Sequence, residues 1–396
     1  MSVNYRYAPH MAKIPPNPIF SLNTRLGEPG FINFTAGAPA DDTFPYADIK
    51  VIANELLDKS FSGVMQYGLS EGYPPARGAM AKMISRYGIS PRPDDIFITT
   101  GGQQAINLFT KIFIEPGDAV LVEAPTYSAT LQILKTHRAQ PIPLESDESG
   151  FLPEDLEEKI EIFNPKIVYL IPTFKNPSGS TISAERREAA AEITGRRGVL
   201  LIEDDPYRDL RYRGASLPTI KSFDRTGNVV FLTSTSKILC PGLRVGAAYV
   251  PEGIKGVLIA AKQAADMHSA TLPQAIVSEY IDRGLLDPHI AGICVKYKEK
   301  LDLMLKAVNE YFPRHIDVTR PDGGLFLWCV CPDGTDTRKL LDIAIEKKVA
   351  FIPGEQFFTG GAGLNTFRLN FSNAPLESIE KGIAILSRIL HEHVKS

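Results

Sequence analysis

Cysteine is scarce in this sequence, with four residues among 396, and their spacing does not match a zinc site. Cys329 and Cys331 alternate in the apolar run GGLFLWCVC, which is typical of small core residues in a strand. The seven histidines are scattered, and none forms the i, i+4 pattern with a glutamate that marks a metalloprotease. The sequence therefore predicts reduced thiols and no bound metal.

Long apolar runs and a strong excess of one charge are also missing. No run reaches the roughly eighteen residues needed to cross a bilayer, and the N-terminus has no apolar core of a secretion signal. The formal net charge of −3 gives no electrostatic reason to bind nucleic acid or an anionic membrane. We therefore expect a cytoplasmic protein whose partners are neither nucleic acids nor membranes.

The order of the apolar segments predicts the fold class. From about residue 46, helix-like segments alternate with short continuous apolar runs, which is typical of an α/β fold with a parallel, doubly wound sheet. The chain is too long for one comfortable core. The predicted division is 1–45 for an N-terminal arm and part of a small domain, 46–299 for a large domain, and 300–396 for a small α+β domain.

Chemically unusual residues are concentrated in the stretch TSTSKILCPGLRVG, residues 233–246. Lys237 follows Ser234 and Ser236 in apolar surroundings, and Arg244 stands seven positions later. A buried lysine is costly unless it is neutral or paired, and a neutral amine commonly forms an imine with a carbonyl group. Two hydroxyls and a guanidinium suit a phosphate dianion. Taken alone, Lys237 is more simply explained as a lysine at a strand end with its ammonium group in solvent, and only its neighbours favour the other interpretation.

A second phosphate contact is indicated by TTGGQQAI, where a strand ends at Thr100, two glycines turn the chain and a helix begins. The backbone N–H groups of Gly102 and Gln103 would then point outward at a helix N-terminus, which attracts anions. A double glycine after a strand is common, so this motif supports the prediction only together with the others.

Three further strand ends carry polar or aromatic side chains. Asp204 and Asp205 end the apolar run in LIEDDPYRDL. Asn176 precedes a proline in PTFKNPSGS, and Tyr127 opens a helix in APTYSATL. Each has an ordinary alternative, namely a helix cap or surface turn, a turn-forming asparagine, and a core tyrosine. Because doubly wound sheets bind ligands at the carboxyl ends of their strands, the set together predicts a site for a flat, phosphorylated aldehyde that contains nitrogen.

The sequence resembles the class I/II aminotransferases of fold type I, which depend on pyridoxal 5′-phosphate (PLP), and within them the branch of 2-aminoadipate and kynurenine aminotransferases. The matching motifs occur in the family's order and cover nearly the whole chain: INFTAGAPADDTFP, MQYGLSEGYPPAR, TTGGQQAI, EAPTYSATL, KNPSG, EDDPYRDLRY, STSKILCPGLRVG, GGLFLW, PGEQFF and NTFRLNFS. The combination of DDPY, SxSK with its downstream arginine, and FRLNFS is highly specific.

The resemblance implies both an architecture and an activity. The architecture is a mostly parallel, seven-stranded sheet between helices in the large domain. The activity is transfer of an amino group between an α-amino acid of aromatic, branched-chain or 2-aminoadipate type and a 2-oxo acid such as 2-oxoglutarate, with ping-pong kinetics.

Carried over residue by residue, the resemblance also implies how PLP is held. Lys237 would form the imine with the aldehyde, and Asp204 would bond the pyridine nitrogen. Tyr207 and Asn176 would bond the phenolic oxygen, and Tyr127 would stack on the ring.

The remaining roles concern the phosphate, the substrate and the second subunit. Tyr67, in MQYG, would reach the phosphate of the neighbouring subunit, which implies a homodimer with shared active sites. Arg368, in FRLNFS, would bind the α-carboxylate of the substrate with help from Asn176. The residues that would hold the phosphate within one subunit are Gly102, Gln103, Ser234, Ser236 and Arg244.

Two departures from the family pattern and one segment affect the predicted pocket. Gly102 stands where relatives often carry a serine, so backbone contact must replace one hydroxyl. PTFKNPSG replaces the more usual QNPTG run, so the family pattern does not determine that wall of the pocket. The segment NPIFSLNTRLGEPG, residues 17–30, is expected to shape the substrate pocket. No second arginine for an acidic side chain is identified.

Two other functions are alternatives to transamination. The same cofactor could support β-elimination, racemisation or decarboxylation, which the sequence does not separate from amino transfer. A non-enzymatic regulator on the same fold is disfavoured, because no DNA-binding segment is visible before residue 17 or after residue 390.

Overall fold

The computed structural model describes residues 5–14 and 28–395, which form twelve α-helices, fifteen strands and several short 3₁₀ turns. The helices are α1 (Tyr46–Met65), α2 (Pro74–Ser85), α3 (Gly102–Phe113), α4 (Ser128–Thr136), α5 (Pro153–Phe163), α6 (Ala184–Arg197), α7 (Ile220–Phe223), α8 (Glu252–Asp266), α9 (Thr271–Asp282), α10 (Leu286–Tyr311), α11 (Thr337–Glu346) and α12 (Leu376–His393).

The strands are short, as the sequence predicts. They are β1 (Ile32–Asn33), β2 (Ile96–Thr99), β3 (Ala119–Glu123), β4 (Gln140–Leu144), β5 (Ser146–Asp147), β6 (Gly150–Phe151), β7 (Ile167–Leu170), β8 (Leu200–Asp204), β9 (Val229–Ser234), β10 (Gly246–Tyr249), β11 (Asp317–Val318), β12 (Phe326–Val330), β13 (Val349–Ala350), β14 (Ile352–Pro353) and β15 (Thr366–Asn370).

Seven strands form the central sheet in the order β2-β10-β9-β8-β7-β3-β4. Strand β10 runs antiparallel to both of its neighbours, and the other pairings are parallel. This confirms the predicted α/β class and the mostly parallel sheet. The continuous apolar runs are explained by burial on both faces, because every residue of β7 and β8 is buried.

Separate apolar cores cover the two faces of this sheet. Along β3, Val120 and Val122 pack in one core, whereas the intervening Leu121 packs in the other. Helices α3, α4 and α8 contribute to the first core, and helices α5 and α6 to the second. The strand-helix alternation in the sequence therefore produces a doubly wound sheet.

The C-terminal part of the chain forms a second, four-stranded sheet in the order β11-β12-β15-β14. Strand β1 pairs with β13 in parallel, so residues 32–33 contact this part of the chain. Cys329 in β12 and Cys331 just after it are buried, as expected for small core residues. The predicted boundary at 299/300 lies inside α10, and the division into domains stays a prediction.

The carboxyl ends of the parallel strands bring the chemically unusual side chains together. Because β2, β3, β7, β8 and β9 run in the same direction, the segments that follow them meet at one edge of the sheet. Across the described ranges, none of the helices combines the length and hydropathy required to cross a membrane.

Candidate active site

A cavity of about 380 Å³ opens at this edge of the sheet. Every residue predicted to bind PLP or substrate lines it, with the exception of Tyr67: Gly102, Gln103, Tyr127, Asn176, Asp204, Tyr207, Ser234, Ser236, Lys237, Arg244 and Arg368. The fold therefore brings together residues that lie up to 266 positions apart in the sequence, from Gly102 to Arg368 (368 − 102).

Lys237 lies three residues after the end of β9, and its ammonium group is inside the cavity. Its Nζ donates a 2.6 Å hydrogen bond to the carbonyl of Gly37. Burial, helped by the charges of Arg368 and Arg244, lowers the pKa of Lys237 from 10.5 to about 8, and Asp204 opposes the shift. Lys237 is consequently able to exist as a neutral amine near physiological pH.

Three successive acids at the end of β8 have three different environments. Glu203 accepts hydrogen bonds from two backbone N–H groups at the start of α7. Asp205 accepts from Nε of Arg208 at 2.9 Å, away from the cavity lining. Asp204 alone of the three lines the cavity. Burial raises the pKa of Asp204 to about 6, against the lowering effect of a hydrogen bond from Tyr169.

Tyr169 supports Asp204 and is a residue that sequence reasoning missed. It donates a 2.6 Å hydrogen bond from Oη to Oδ2 of Asp204. Tyr169 pairs with Ile202 in the β7–β8 register, and Ile202 and Asp204 share a face because side chains alternate along a strand. A tyrosine in the apolar run KIVYLIP was the available signal, but its use required knowing that β7 and β8 are neighbours.

The predicted phosphate-binding residues, Gly102, Gln103, Ser234, Ser236 and Arg244, form what we call the phosphate cradle. The N-terminus of the twelve-residue helix α3 supplies Gly102 and Gln103. Ser234 donates to Ser236 at 2.9 Å. Arg244 donates from Nη2 to the carbonyl of Thr100 at 3.3 Å. N–H groups, hydroxyls and one guanidinium thus converge as an anion site requires.

Arg244 lies so close to the glycine turn that a larger residue at position 101 would displace its guanidinium. Gly101 has φ +78°, and a Cβ there would lie 2.4 Å from Nη2 of Arg244. In contrast, a Cβ on Gly102 would have no neighbour within 4 Å. The first glycine is therefore needed by the turn, and the second leaves space beside the predicted phosphate.

Arg368 on β15 is 2 % exposed and is another cation of the cavity lining. Its Nη1 donates to Oδ1 of Asn176 at 2.8 Å, and its Nη2 donates to the carbonyl of Thr35 at 2.6 Å. The guanidinium also lies 4.4 Å from the ring centroid of Phe326. Its Nε has no hydrogen-bond partner among the described residues. Because Arg368 lines the cavity, its guanidinium is the candidate group for binding a substrate carboxylate.

The walls between these groups are aromatic. Tyr127 and Tyr207 both line the cavity, and burial raises the pKa of each hydroxyl. A hydrogen bond with Asn176 partly offsets this effect for Tyr207. Both hydroxyls therefore stay protonated at neutral pH and are available as hydrogen-bond donors.

Tyr67 does not join the cavity of its own chain. It is 78 % exposed, and its ring lies edge-on to His268 with 5.8 Å between the centroids. Its predicted contact with a neighbouring subunit stays a prediction. Residues 17–27 of the segment expected to shape the pocket lie outside the described residues.

Several lining residues were not predicted from the sequence. Gly37 contributes the carbonyl that holds Lys237, and Gln132 on α4 contributes an amide. Gly37 lies in the motif INFTAGAPADDTFP, but the motif alone does not show that this carbonyl contacts Lys237.

The residues that line the cavity fit each chemical group of PLP. The amine of Lys237 suits the aldehyde, and the buried carboxylate of Asp204 suits a protonated ring nitrogen. The phosphate cradle suits the dianion, and the aromatic walls suit a flat ring. Arg368 is left for the carboxylate of the substrate.

Comparison with known proteins decides the family. The model of the family described as aminotransferase class I and II matches residues 29–386. The chain belongs to this family. An aromatic-amino-acid aminotransferase from Thermococcus litoralis is 41% identical over 371 residues, covering 92% of this chain and 89% of the relative.

Solved aminotransferase structures agree in fold as well as in sequence. The Pyrococcus horikoshii kynurenine aminotransferase, in complex with PMP, has a TM-score of 0.94, 37% identity and 98% coverage of each chain. The α-aminoadipate aminotransferase of Thermus thermophilus, complexed with N-(5′-phosphopyridoxyl)-L-leucine, has a TM-score of 0.91 and 34% identity, with 98% of this chain and 97% of that chain covered. This chain is an aminotransferase, and PLP is its cofactor.

Proposed function

We propose that this aminotransferase moves the amino group of an aromatic, branched-chain or 2-aminoadipate type of amino acid to a 2-oxo acid such as 2-oxoglutarate. The observation that carries the proposal is that Lys237, Asp204 and Arg368 open into one cavity. The cavity therefore contains an amine, an acid that we propose binds the ring and an arginine that we propose binds the carboxylate, which are the groups that an α-amino acid and a cofactor require. The substrates for which the relatives are named, aromatic amino acids, kynurenine and 2-aminoadipate, support the choice of substrate class.

The lining of the cavity supports a side chain that is largely apolar. Ala38, Ile106 and Ile171 are part of the described lining, with Gln132 as an uncharged polar neighbour. Within the described part of the lining, the cations are Lys237, Arg244 and Arg368, each of which has a proposed role. We therefore propose that aromatic and branched-chain side chains bind through apolar burial, and that Gln132 is the amide available to a polar one.

PLP, when bound, supplies the electron sink that allows the Cα–H bond of the amino acid to break. Arg368 binds the α-carboxylate and fixes the orientation of Cα toward Lys237. With the cofactor in place, the free amine of Lys237 would accept the Cα proton and would supply the proton that the cofactor carbon requires. Asp204 holds the proton on the pyridine nitrogen, because a buried carboxylate without a cationic neighbour would otherwise be costly. Tyr207 and Asn176 hold the phenolic oxygen, and Tyr127 covers the ring.

The substrate class is tested by assaying a panel of amino acids against 2-oxoglutarate and pyruvate. We expect kcat/KM to be highest for aromatic, branched-chain or 2-aminoadipate substrates, with glutamate or alanine formed in equal amount to the 2-oxo acid product. Parallel lines in double-reciprocal plots would support ping-pong kinetics. Release of ammonia without glutamate would contradict transamination and support elimination instead.

We also propose a homodimer with shared active sites. Large apolar side chains are exposed in one short stretch of the chain: Tyr46, Val51, Leu57, Phe61, Met65, Tyr67 and Leu69. Such a concentration is typical of a protein interface. We propose that burial of this stretch against a second copy brings Tyr67 to the phosphate cradle of that copy, as the family resemblance implies.

Two experiments test the homodimer. Phe61→Glu should shift the protein from dimer to monomer in sedimentation velocity, whereas Val295→Glu, at an apolar residue exposed on α10, should not. Co-expression of Lys237→Ala with Tyr67→Ala chains should give more activity than either variant alone, because the mixed dimer contains one complete site. Activity no higher than that of the separate variants would contradict shared sites.

A cytoplasmic location is proposed as well. Cys240, Cys294, Cys329 and Cys331 are all free thiols, as is usual where glutathione keeps thiols reduced. Fractionation of the source cells should recover the protein with cytoplasmic markers, and recovery in a secreted fraction would contradict the proposal.

A further inference from the structure

Lys262 on α8 is a fully buried lysine that does not line the cavity. Its Nζ donates three hydrogen bonds, to Oε1 of Gln104 at 2.6 Å, to Oδ2 of Asp266 at 2.9 Å and to Oγ of Ser269 at 2.9 Å. All three donor positions of the ammonium group are therefore used. Burial of an ammonium group is costly, and these partners offset part of the cost. The catalytic steps above do not need Lys262.

The same partners hold the residue that precedes the glycine turn of the phosphate cradle. The backbone N–H of Thr100 donates to Oε1 of Gln104 at 2.8 Å. Its Oγ1 lies 2.8 Å from Oγ of Ser269 and donates to Asp266 at 3.2 Å. The carbonyl of Thr100 accepts from Arg244 of the phosphate cradle. Every polar group of Thr100 therefore has a partner. Three of its four contacts are with residues that Lys262 also binds.

The network also reaches the stretch that carries Tyr67. Nδ1 of His268 lies 2.8 Å from the carbonyl of Ser269. Nε2 of His268 accepts from the backbone N–H of Gly68 at 3.2 Å, and the ring contacts Tyr67. Residues 266–269 therefore join the phosphate cradle on one side to Tyr67 on the other.

We propose that Lys262 is a positioning residue that holds the phosphate cradle in shape and links it to the Tyr67 stretch. It touches neither the cofactor nor the substrate and acts through Thr100 and Gln104. The inference rests on the proposed role of the phosphate cradle. Its consequence is selective: loss of Lys262 should weaken binding of the cofactor's phosphate without weakening binding of the ring.

The test compares PLP with pyridoxal, which has the same ring and aldehyde but no phosphate. Apo-protein is titrated with each compound, and binding is followed by absorbance of the protein-bound chromophore. For Lys262→Met we expect the Kd of PLP to rise about tenfold, as for loss of a charge-assisted hydrogen bond, while the Kd of pyridoxal changes less than about twofold. Ser269→Ala, a smaller change, should shift the ratio of the two constants about threefold in the same direction and keeps the test valid if Lys262→Met does not fold.

A matched control is another lysine that is nearly inaccessible and ion-paired. Lys175 binds Glu123 at 2.8 Å, with 4 % and 0 % of the side chains exposed, and it adjoins Asn176 instead of the phosphate cradle. Lys175→Met should leave the ratio of the PLP and pyridoxal constants unchanged even if it lowers stability. An equal rise of both constants in Lys262→Met would overturn the inference, because it would indicate a general loss of structure.

Arg244→Met separates failure of this inference from failure of the proposed cradle. If Arg244→Met abolishes the preference for PLP over pyridoxal and Lys262→Met does not alter it, the phosphate cradle stands and the role of Lys262 is refuted. If neither variant alters the preference, the phosphate binds elsewhere and both proposals are wrong.

Discussion

Tyr169 on β7 donates a 2.6 Å hydrogen bond to the carboxylate of Asp204 on the neighbouring parallel strand β8. The contact fixes the acid that we propose to hold the proton of the pyridine nitrogen. It also stabilises the charged form of that acid, since the hydrogen bond lowers the pKa of Asp204 against the raising effect of burial.

Asp204→Ala should lose about 3–4 kcal/mol of transition-state stabilisation, the amount typical of one preorganised electrostatic group. Tyr169→Phe should cost less, about tenfold in kcat/KM, because only one hydrogen bond to a charged group is lost. In the pH dependence of kcat/KM for Tyr169→Phe, the acidic limb should move to higher pH, since the pKa of Asp204 rises when the Tyr169 hydrogen bond is absent. The two effects should not add in the double variant. Near-normal turnover of Asp204→Ala would refute the assignment.

Arg368→Lys should raise KM for every amino acid by about tenfold or more, because an ammonium group cannot reproduce the planar fork of a guanidinium. The effect should not depend on the substrate side chain, since Arg368 is proposed to bind only the α-carboxylate. Steady-state kinetics over a panel of amino acids measure it, with Arg338→Lys, at an exposed arginine, as the control. A rise in KM confined to amino acids with one class of side chain would show that Arg368 binds the side chain instead of the α-carboxylate.

Gly102→Ser should bind PLP more tightly, by about threefold to tenfold in Kd, because its Cβ enters open space and its hydroxyl adds one hydrogen bond to the phosphate. The adjacent Gly101→Ser is the matched control. It should lose affinity, since its φ of +78° is strained for serine and its Cβ would collide with Arg244. Equal effects of the two serines would contradict the assigned geometry of the turn.

Lys237 in the apo-protein should react with an amine-directed reagent with a midpoint near pH 8, well below its ordinary value of 10.5. The shift should disappear in urea, because burial is its largest cause. Between about pH 8 and 10.5 the unfolded chain binds a proton that the folded chain has lost at Lys237. This group therefore makes the free energy of unfolding rise with pH in that range. A labelling midpoint near 10.5 in the folded protein would show that Lys237 is exposed.

Much of the fold was predictable because its signals are local. The segments GGQQAINLFTKIFI and SAERREAAAEITGRRG fold as α3 and α6, and the apolar runs KIVYLIP and VLLIEDDPY contain β7 and β8. Strand β4 and helix α5 have weaker or mixed signals. Strand β4 carries two prolines in QPIPL, which argue against a strand. Helix α5 is rich in acidic residues, although its Leu156 and Ile160 stand one helical turn apart and pack in a core.

The site was predictable where side chains follow strand ends, and it was not where partners come from distant elements. The position of Asp204 in the cavity follows from its place at the end of β8. The contacts of Tyr169, Gly37 and Lys262 depend on strand order and on packing between distant segments, which no local pattern contains. The antiparallel direction of β10 was likewise hidden, because an apolar run has the same appearance in either direction.

The most direct test of an imine between PLP and Lys237 is to reduce the PLP-loaded protein with borohydride and to map the modified residue by mass spectrometry. We expect one phosphopyridoxyl group per chain, attached to Nζ of Lys237, and a colourless, unlabelled protein for Lys237→Ala. Attachment to another lysine, or no attachment after incubation with PLP, would contradict it.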